Sequence, residues 1–464
     1  MNKNLKKLLS LTLSSAMVIG MGVTAHAEEE EETFDFGGVT IKCYGSVWGN
    51  LDTEDEDSVY LEAKEYVEEK YNVVLEKATM DGYDGYNDDD LLIASVAAGD
   101  PVADIITLNP ESLVSCYMSG ILFDETDYLD ELQVGSIYSD AGTWQGKCYA
   151  ISYDNLGDAW ILAYDRDYLE EIGMEKTPTE MFMEGKWDYD SFKEYLVEMK
   201  SKLPDDVYPI GQYPYHWMTM SAGANGVALV DSDGNLNIAS DEVIEAMSFY
   251  QELENEGLAY PMSYYTDDDG NQQRDIAYQY DDERIVIARL EAWQLGGYEN
   301  YGVVYWPWGS NVTCEGDYTT LSDNYKVNTV YWGADAVVDL SCEKLGIPGN
   351  IMHQIIYDFR DYADDNSFMH EAWEAEQEDD FVLYGKEAGE PRNFFTEEDI
   401  ELFDWAHSRF QADLSWTLDS AEIIRIWDAS REVLVDRLDA RSTLESYYNE
   451  GIANLKDAGF TYEE

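Results

Sequence analysis

A chain of 464 residues with 45% hydrophobic content can bury real cores and form two or three domains, which argues against a disordered or fibrous protein. Its formal charge of −69, from 97 Asp and Glu against 28 Lys and Arg, repels nucleic acid and anionic membranes and sets both aside as partners. Five widely spaced cysteines without a CxxC pair argue against a zinc site or a dense disulfide framework, leaving buried thiols or one or two bridges.

Met1 to Ala27 reads as a secretory signal: Lys3, Lys6 and Lys7 precede the apolar Leu8–Val23, and Ala25-His26-Ala27 forms the cleavage site. No cysteine follows closely, so no lipid anchor is expected, and no later stretch is apolar enough to span a bilayer. An acidic tether over 28–36 leads to a first strand, Val39–Tyr44, and an exposed loop carrying Trp48. Val59, Ala63, Tyr66, Val67 and Tyr71 mark one face of a helix, and Val73–Lys77 is the second strand. Leu91, Leu92, Ser95 and Val96 fall at helical spacing, Gly99 stops that helix and Pro101 prevents its return. Ala103–Leu108 is an apolar run with two isoleucines, the pattern of a strand covered on both faces, and Asn109-Pro110 opens the next helix. The order βαβαβ with right-handed crossovers predicts a parallel lobe whose ligands bind at the strands' carboxyl ends, where Trp48 and Asn109 stand.

Trp144 to Asp167 reads as two strands about a polar turn, and Tyr189–Leu203 as a helix. Val227–Ala239 reads as a hairpin turning at Asp233-Gly234, and Ser240 caps a helix that stops at Gly257. Strands follow over Ile285–Ala292, ending in Trp293, and over Val303–Trp308. Asn328–Leu340, with Trp332-Gly333, is a strand-turn-strand, and from Pro348 the chain is helical.

This succession of segments resembles the extracellular solute-binding proteins of ABC transporters, the family that includes the maltose-binding proteins. The resemblance rests on segment order over nearly the whole mature chain, with the helix, Gly-Asp-Pro, strand and Asn-Pro run of Leu91–Asp124 at its centre. It implies an α/β, two-lobed, periplasmic-binding-protein-like fold of type II, each lobe a mainly parallel sheet flanked by helices around a ligand cleft. Lobe 1 is expected over 37–152 and 326–395, and lobe 2 over 153–325 and 396–464. It also implies an extracytoplasmic monomer that delivers its solute to permease subunits, with no cofactor and no catalysis.

Motifs for other chemistry are weak. Asp231-Ser-Asp-Gly-Asn235 and Asp267-Asp-Asp-Gly-Asn271 place glycine too early for a calcium loop and read as turns. Ser341-Cys-Glu-Lys344 and Ser322-Asp-Asn324 match fragments of the penicillin-recognising serine enzymes, but in reversed order and without Lys-Thr-Gly. The informative composition is 36 Tyr and 13 Trp against 14 Phe: rings with an apolar face and a polar edge match the C–H face and hydroxyl rim of a sugar. A carbohydrate, an oligosaccharide first, is therefore the expected solute. Candidate contacts are Trp48, Trp293 and Trp332 at strand ends, then Trp217, Trp306 and Trp427, with Asn109 and the polar trio Tyr153, Asp154 and Asn155 at the lobe crossover. Asp154 is the carboxylate expected to accept sugar hydroxyls. A secreted glycoside hydrolase, a peptide or polar-solute binder and a calcium-binding surface protein are the alternatives.

Overall fold

The computed structural model describes residues 34–53, 58–79, 89–152, 160–267, 270–279, 282–291, 300–330, 333–364 and 396–460. The chain opens with β1 (Val39–Tyr44), α1 (Val59–Tyr71) and β2 (Val73–Lys77). Helix α1 buries Ala63, Val67 and Tyr71, and Asn72 turns it into β2 with a left-handed φ of 46°. Next come α2 (Asp89–Ala97), β3 (Ile105–Leu108) and α3 (Pro110–Met118). Pro110 sits in the first turn of α3, and the Asn109 side chain accepts from the Ser112 N–H, the two devices that start a helix sharply. A short antiparallel hairpin follows, β4 (Thr143–Trp144) with β5 (Lys147–Cys148).

Next come β6 (Trp160–Asp165), whose first five residues are all buried, then α4 (Tyr189–Lys200), β7 (Tyr208–Ile210), α5 (Pro214–Ala224) and α6 (Asp241–Asn255). An exposed hairpin follows, β8 (Ser263–Thr266) with β9 (Gln272–Asp275), before β10 (Ile285–Glu291) and β11 (Tyr301–Val304). The chain recrosses through β12 (Val327–Thr329) to β13 (Ala334–Val337) and α7 (Gly349–Asp364). It ends in α8 (Glu397–His407), β14 (Phe410–Ala412), α9 (Ser415–Ser420), α10 (Ile426–Leu434) and α11 (Ala440–Asp457).

The first sheet has the order β13-β3-β1-β2, with β1 parallel to both β2 and β3 and β13 antiparallel at its edge. It is mainly parallel, as the element order predicts. The second sheet, β11-β6-β10-β7, departs from that expectation: β10 and β11 both run against β6, and one pairing, β10 with β7, is parallel. Antiparallel partners need no helical crossover, so element order alone does not reveal them.

Apart from these two sheets, β12 pairs in parallel with β14. A polar knot locks this pair to α5. The Asn328 amide donates to Thr219 O at 2.8 Å and to Asp413 Oδ2 at 2.9 Å, and Asp413 also accepts from Leu229 N and Ser415 N. Gly223 of α5 lies so close that a Cβ there would stand 2.8 Å from Asn328. Next to this knot, α9 packs on α3, and Phe460 lies against Tyr117 and Trp144. The recess among these groups is about 20 Å³, room for one water and no solute.

Candidate functional site

The run Gln212-Tyr-Pro-Tyr-His-Trp217 leads into and opens α5. Pro214 starts the helix, the Tyr213 side chain at its N-cap makes no capping hydrogen bond, and no acidic residue stands in its first turn. Aromatic rings gather around that end. Tyr215 stacks on Trp427 at 4.8 Å and 9°, Tyr213 meets Trp427 edge-on at 5.1 Å, and Trp416 does so at 5.6 Å. Tyr278 stands edge-on to Tyr213 at 5.3 Å, and Trp160 lies 4.1 Å from the ring of His216. Trp160 and Tyr215 form the buried floor, while Tyr213, Tyr278, Trp416 and Trp427 keep part of their surface in solvent.

Two arginines join this cradle. Arg274, exposed on β9, donates to the Tyr213 hydroxyl at 2.7 Å, and the Arg289 guanidinium lies 5.4 Å from the centre of the Trp160 ring. Burial, and secondarily the charge of Arg289, hold His216 well below its ordinary pKa of 6.5, so its imidazole is neutral. Its Nδ1 is buried and has no hydrogen-bond partner among the described residues. Near the turn between α9 and α10 stands a carboxylate of α3: Glu111 is held above the ordinary range by burial first, then by the charges of Asp89 and Glu422. Aromatic faces with polar edges beside a helix N-terminus, with a carboxylate near by, can hold a flat polar solute by stacking and hydrogen bonds.

Of the residues singled out from sequence, Trp427 is part of this cradle. Trp48 is not exposed in its loop. It is fully buried, stacks on Phe359 at 4.6 Å and donates its indole N–H to Asp335, which Arg360 neutralises at 2.7 Å. Trp217 and Trp306 are core residues in this structure, their indole N–H groups spent on Ala246 O and Trp160 O. Asn109 is half-buried at the tip of α3, its carbonyl oxygen occupied by the Ser112 N–H at 2.8 Å. Tyr153, Asp154, Asn155, Trp293 and Trp332 lie outside the described residues. Sequence reading passed over Trp160, Tyr213, Tyr215, His216, Arg274, Tyr278, Arg289 and Trp416. The signal that could have found them was the aromatic run on either side of Pro214, which marks a helix start rather than a helix interior.

Residues 52–281 match the family model described as bacterial extracellular solute-binding protein. The chain belongs to this family. Among solved structures it is similar to the galacto-N-biose/lacto-N-biose I-binding protein of an ABC transporter from Bifidobacterium longum, with 15% identity, 92% of this chain and 99% of that one covered, and a TM-score of 0.55. It is similar to a cyclic α-maltosyl-1,6-maltose binding protein from Arthrobacter globiformis at 14% identity, with coverages of 91% and 100% and a TM-score of 0.57. It is also similar to UgpB from Mycobacterium tuberculosis, solved with glycerophosphocholine, at 16% identity, with coverages of 91% and 99% and a TM-score of 0.51. At these identities the likeness establishes the two-lobed fold. A comparison with curated proteins returned no match.

Membership makes this an extracytoplasmic protein that binds a solute. The other motifs find structural roles. Asp231 and Asp267 each accept from the backbone N–H four residues on, at 2.8 Å, closing their own turns. Ser341 lies fully buried inside a short helix, Asp339–Leu345, while Lys344 reaches out to Gly99 O and Asp100, so the two do not form a nucleophile and base. All five cysteines are free thiols.

Proposed function

We propose that the protein captures a carbohydrate between its lobes and hands it unaltered to the permease of an ABC importer. The observation that carries this reading is the aromatic cradle at the N-terminus of α5, where the partly exposed Tyr213, Tyr278, Trp416 and Trp427 lie in ring contact with one another. The names of the relatives support it, two of three being sugar binders, while the glycerophosphocholine of the third shows that the fold also serves other polar solutes. Trp427 is the ring we assign to direct stacking. Asn109, Tyr153, Asp154, Asn155, Trp293 and Trp332 are proposed to complete the site, with Asp154 accepting sugar hydroxyls. The signal over Met1–Ala27 would place the mature start at Glu28, as a free or tethered monomer.

The test is a thermal-shift screen against neutral mono- and oligosaccharides, peptides, glycerophosphodiesters and calcium, with product analysis on every hit. A ligand held only by the native state raises the melting temperature by mass action, by about 2.7 kcal/mol of added stability at a hundred times its Kd. A sugar that stabilises and is recovered intact is the expected result. Cleavage of that sugar would make the protein a hydrolase, and stabilisation by peptides or calcium alone would remove the carbohydrate.

A further inference from the structure

We propose that the hairpin β8–β9 fixes the rings of the cradle, with Arg274 as a positioning residue that sets Tyr213, and through it Trp427, for the sugar. This deepens the carbohydrate reading and rests on it.

A two-stranded hairpin in water is marginal by itself, so its place on the molecule comes from what it touches. Every residue of β8 and β9 is exposed except Tyr264 and Asp275. Asp275 anchors the root of the hairpin, accepting from the Tyr260 hydroxyl at 2.9 Å and pairing with Arg284 at 2.8 Å. Tyr264 and Arg274 stand directly opposite each other in the register, which puts both side chains on one face. Two hydrogen bonds leave the hairpin from that rung. Arg274 donates to the Tyr213 hydroxyl at 2.7 Å, and the Tyr264 hydroxyl accepts from Arg431 at 3.0 Å.

Those bonds end on two elements that supply the cradle. Tyr213 is the N-cap of α5, and Arg431 lies on α10 one turn after Trp427. The Arg431 guanidinium is itself held by Asp428, Glu432 and Asp436, so it is a fixed point for Tyr264. Trp427 meets Tyr213 edge-on at 5.1 Å, which closes a circuit from Arg274 through both rings and α10 back to Tyr264. Rings held in place before the solute arrives lose less freedom when it stacks on them, and affinity rises accordingly. The bond also directs the phenol. The Tyr213 oxygen accepts from a cation, and among the described residues its own O–H has no acceptor, which leaves that proton, strengthened as a donor, for a sugar hydroxyl. Gln273, the neighbour of Arg274 on β9, belongs to the other face and bonds Asp267 within the hairpin at 2.9 Å, so it serves as a control in the same strand.

The experiment is calorimetric titration of the purified protein with the tightest-binding member of a set of neutral glucose and galactose di- and trisaccharides. Arg274→Gln is expected to weaken binding about three- to tenfold, the scale of one partly exposed hydrogen bond. Arg274→Lys should recover part of the loss, because an ammonium also donates to the phenol, and Gln273→Ala should bind as the unaltered protein does. The melting temperature should stay put in Arg274→Gln, since Arg274 is exposed. In a Tyr213→Phe background Arg274→Gln should add less than about a twofold loss, because no hydroxyl is left for it to hold. Unchanged affinity in Arg274→Gln, or its full loss repeated on top of Tyr213→Phe, would overturn the positioning role while leaving the carbohydrate reading intact. The same loss in Gln273→Ala, or a loss that comes with a lowered melting temperature and no recovery in Arg274→Lys, would also overturn it. Failure of every sugar in the set to bind would instead overturn the carbohydrate reading and this inference with it.

Discussion

Trp427 and Trp306 look alike in sequence, each a tryptophan near an element's end, but their surroundings give them different work. Trp427 keeps surface in solvent within the cradle, whereas Trp306 is 1% exposed and donates to Trp160 O at 3.0 Å. Trp427→Ala should therefore weaken sugar binding by about 0.5–1.5 kcal/mol, the worth of an aromatic contact beyond its area. Trp306→Phe keeps a ring but loses the hydrogen bond, and should cost about 1 kcal/mol of stability with little change in affinity. Calorimetric titration and urea unfolding of both variants separate the two effects; a Trp306→Phe protein that binds as poorly as Trp427→Ala would erase the distinction. Side-chain direction is the part of the site that local sequence hides. Trp48 follows a strand beside glycine, as a ligand contact should, yet a carboxylate 287 residues away, Asp335, draws its indole inward. Within Tyr213–Trp217, neighbouring positions split between solvent and core, so the run announces aromatic density without saying which ring faces the ligand.

At the scale of elements, the knot between β12, β14 and α5 couples the crossing strands to the helix that bears the cradle. Its carboxylate, Asp413, is fully buried, and burial raises its pKa from 3.8 to about 6 against the backbone N–H groups that favour the charged form. The folded protein thus holds this proton more tightly than the unfolded chain. The resulting stability is fully present below the ordinary pKa and is lost as pH rises through about 6, an effect of about 1–3 kcal/mol. Asp413→Asn removes the titration. The gap between the two proteins in urea unfolding should therefore change between about pH 4 and pH 6 and level off above it; a gap that does not vary with pH would mean that Asp413 stays charged throughout. Elements governed by local periodicity were legible: β1, α1 and β2 begin and end where the apolar spacing puts them. The pairing of β12 with β14 was not, because 83 residues separate partners such as Asn328 and Gln411, and no local pattern encodes that meeting. The same holds for the antiparallel partners of β6.

Across the whole molecule the dominant quantity is charge. Lobes that carry most of a −69 surface repel each other, and any motion that narrows the gap between them works against that repulsion. This repulsion acts at Glu111, where the charge of Glu422, exposed just past α9, adds to that of Asp89. If binding draws the lobes together, a neutral sugar should bind more tightly as salt screens these charges, because nothing in the sugar itself responds to ionic strength. Glu422→Gln should give about a twofold gain at low salt and a shallower salt dependence, since one exposed like-charge contact is worth little more than that. Titrations at about 10 mM and 150 mM salt, on either side of the range where the screening length falls to roughly 8 Å, read both effects. A neutral sugar whose affinity is flat or falls with salt would show that binding leaves the lobes where they are.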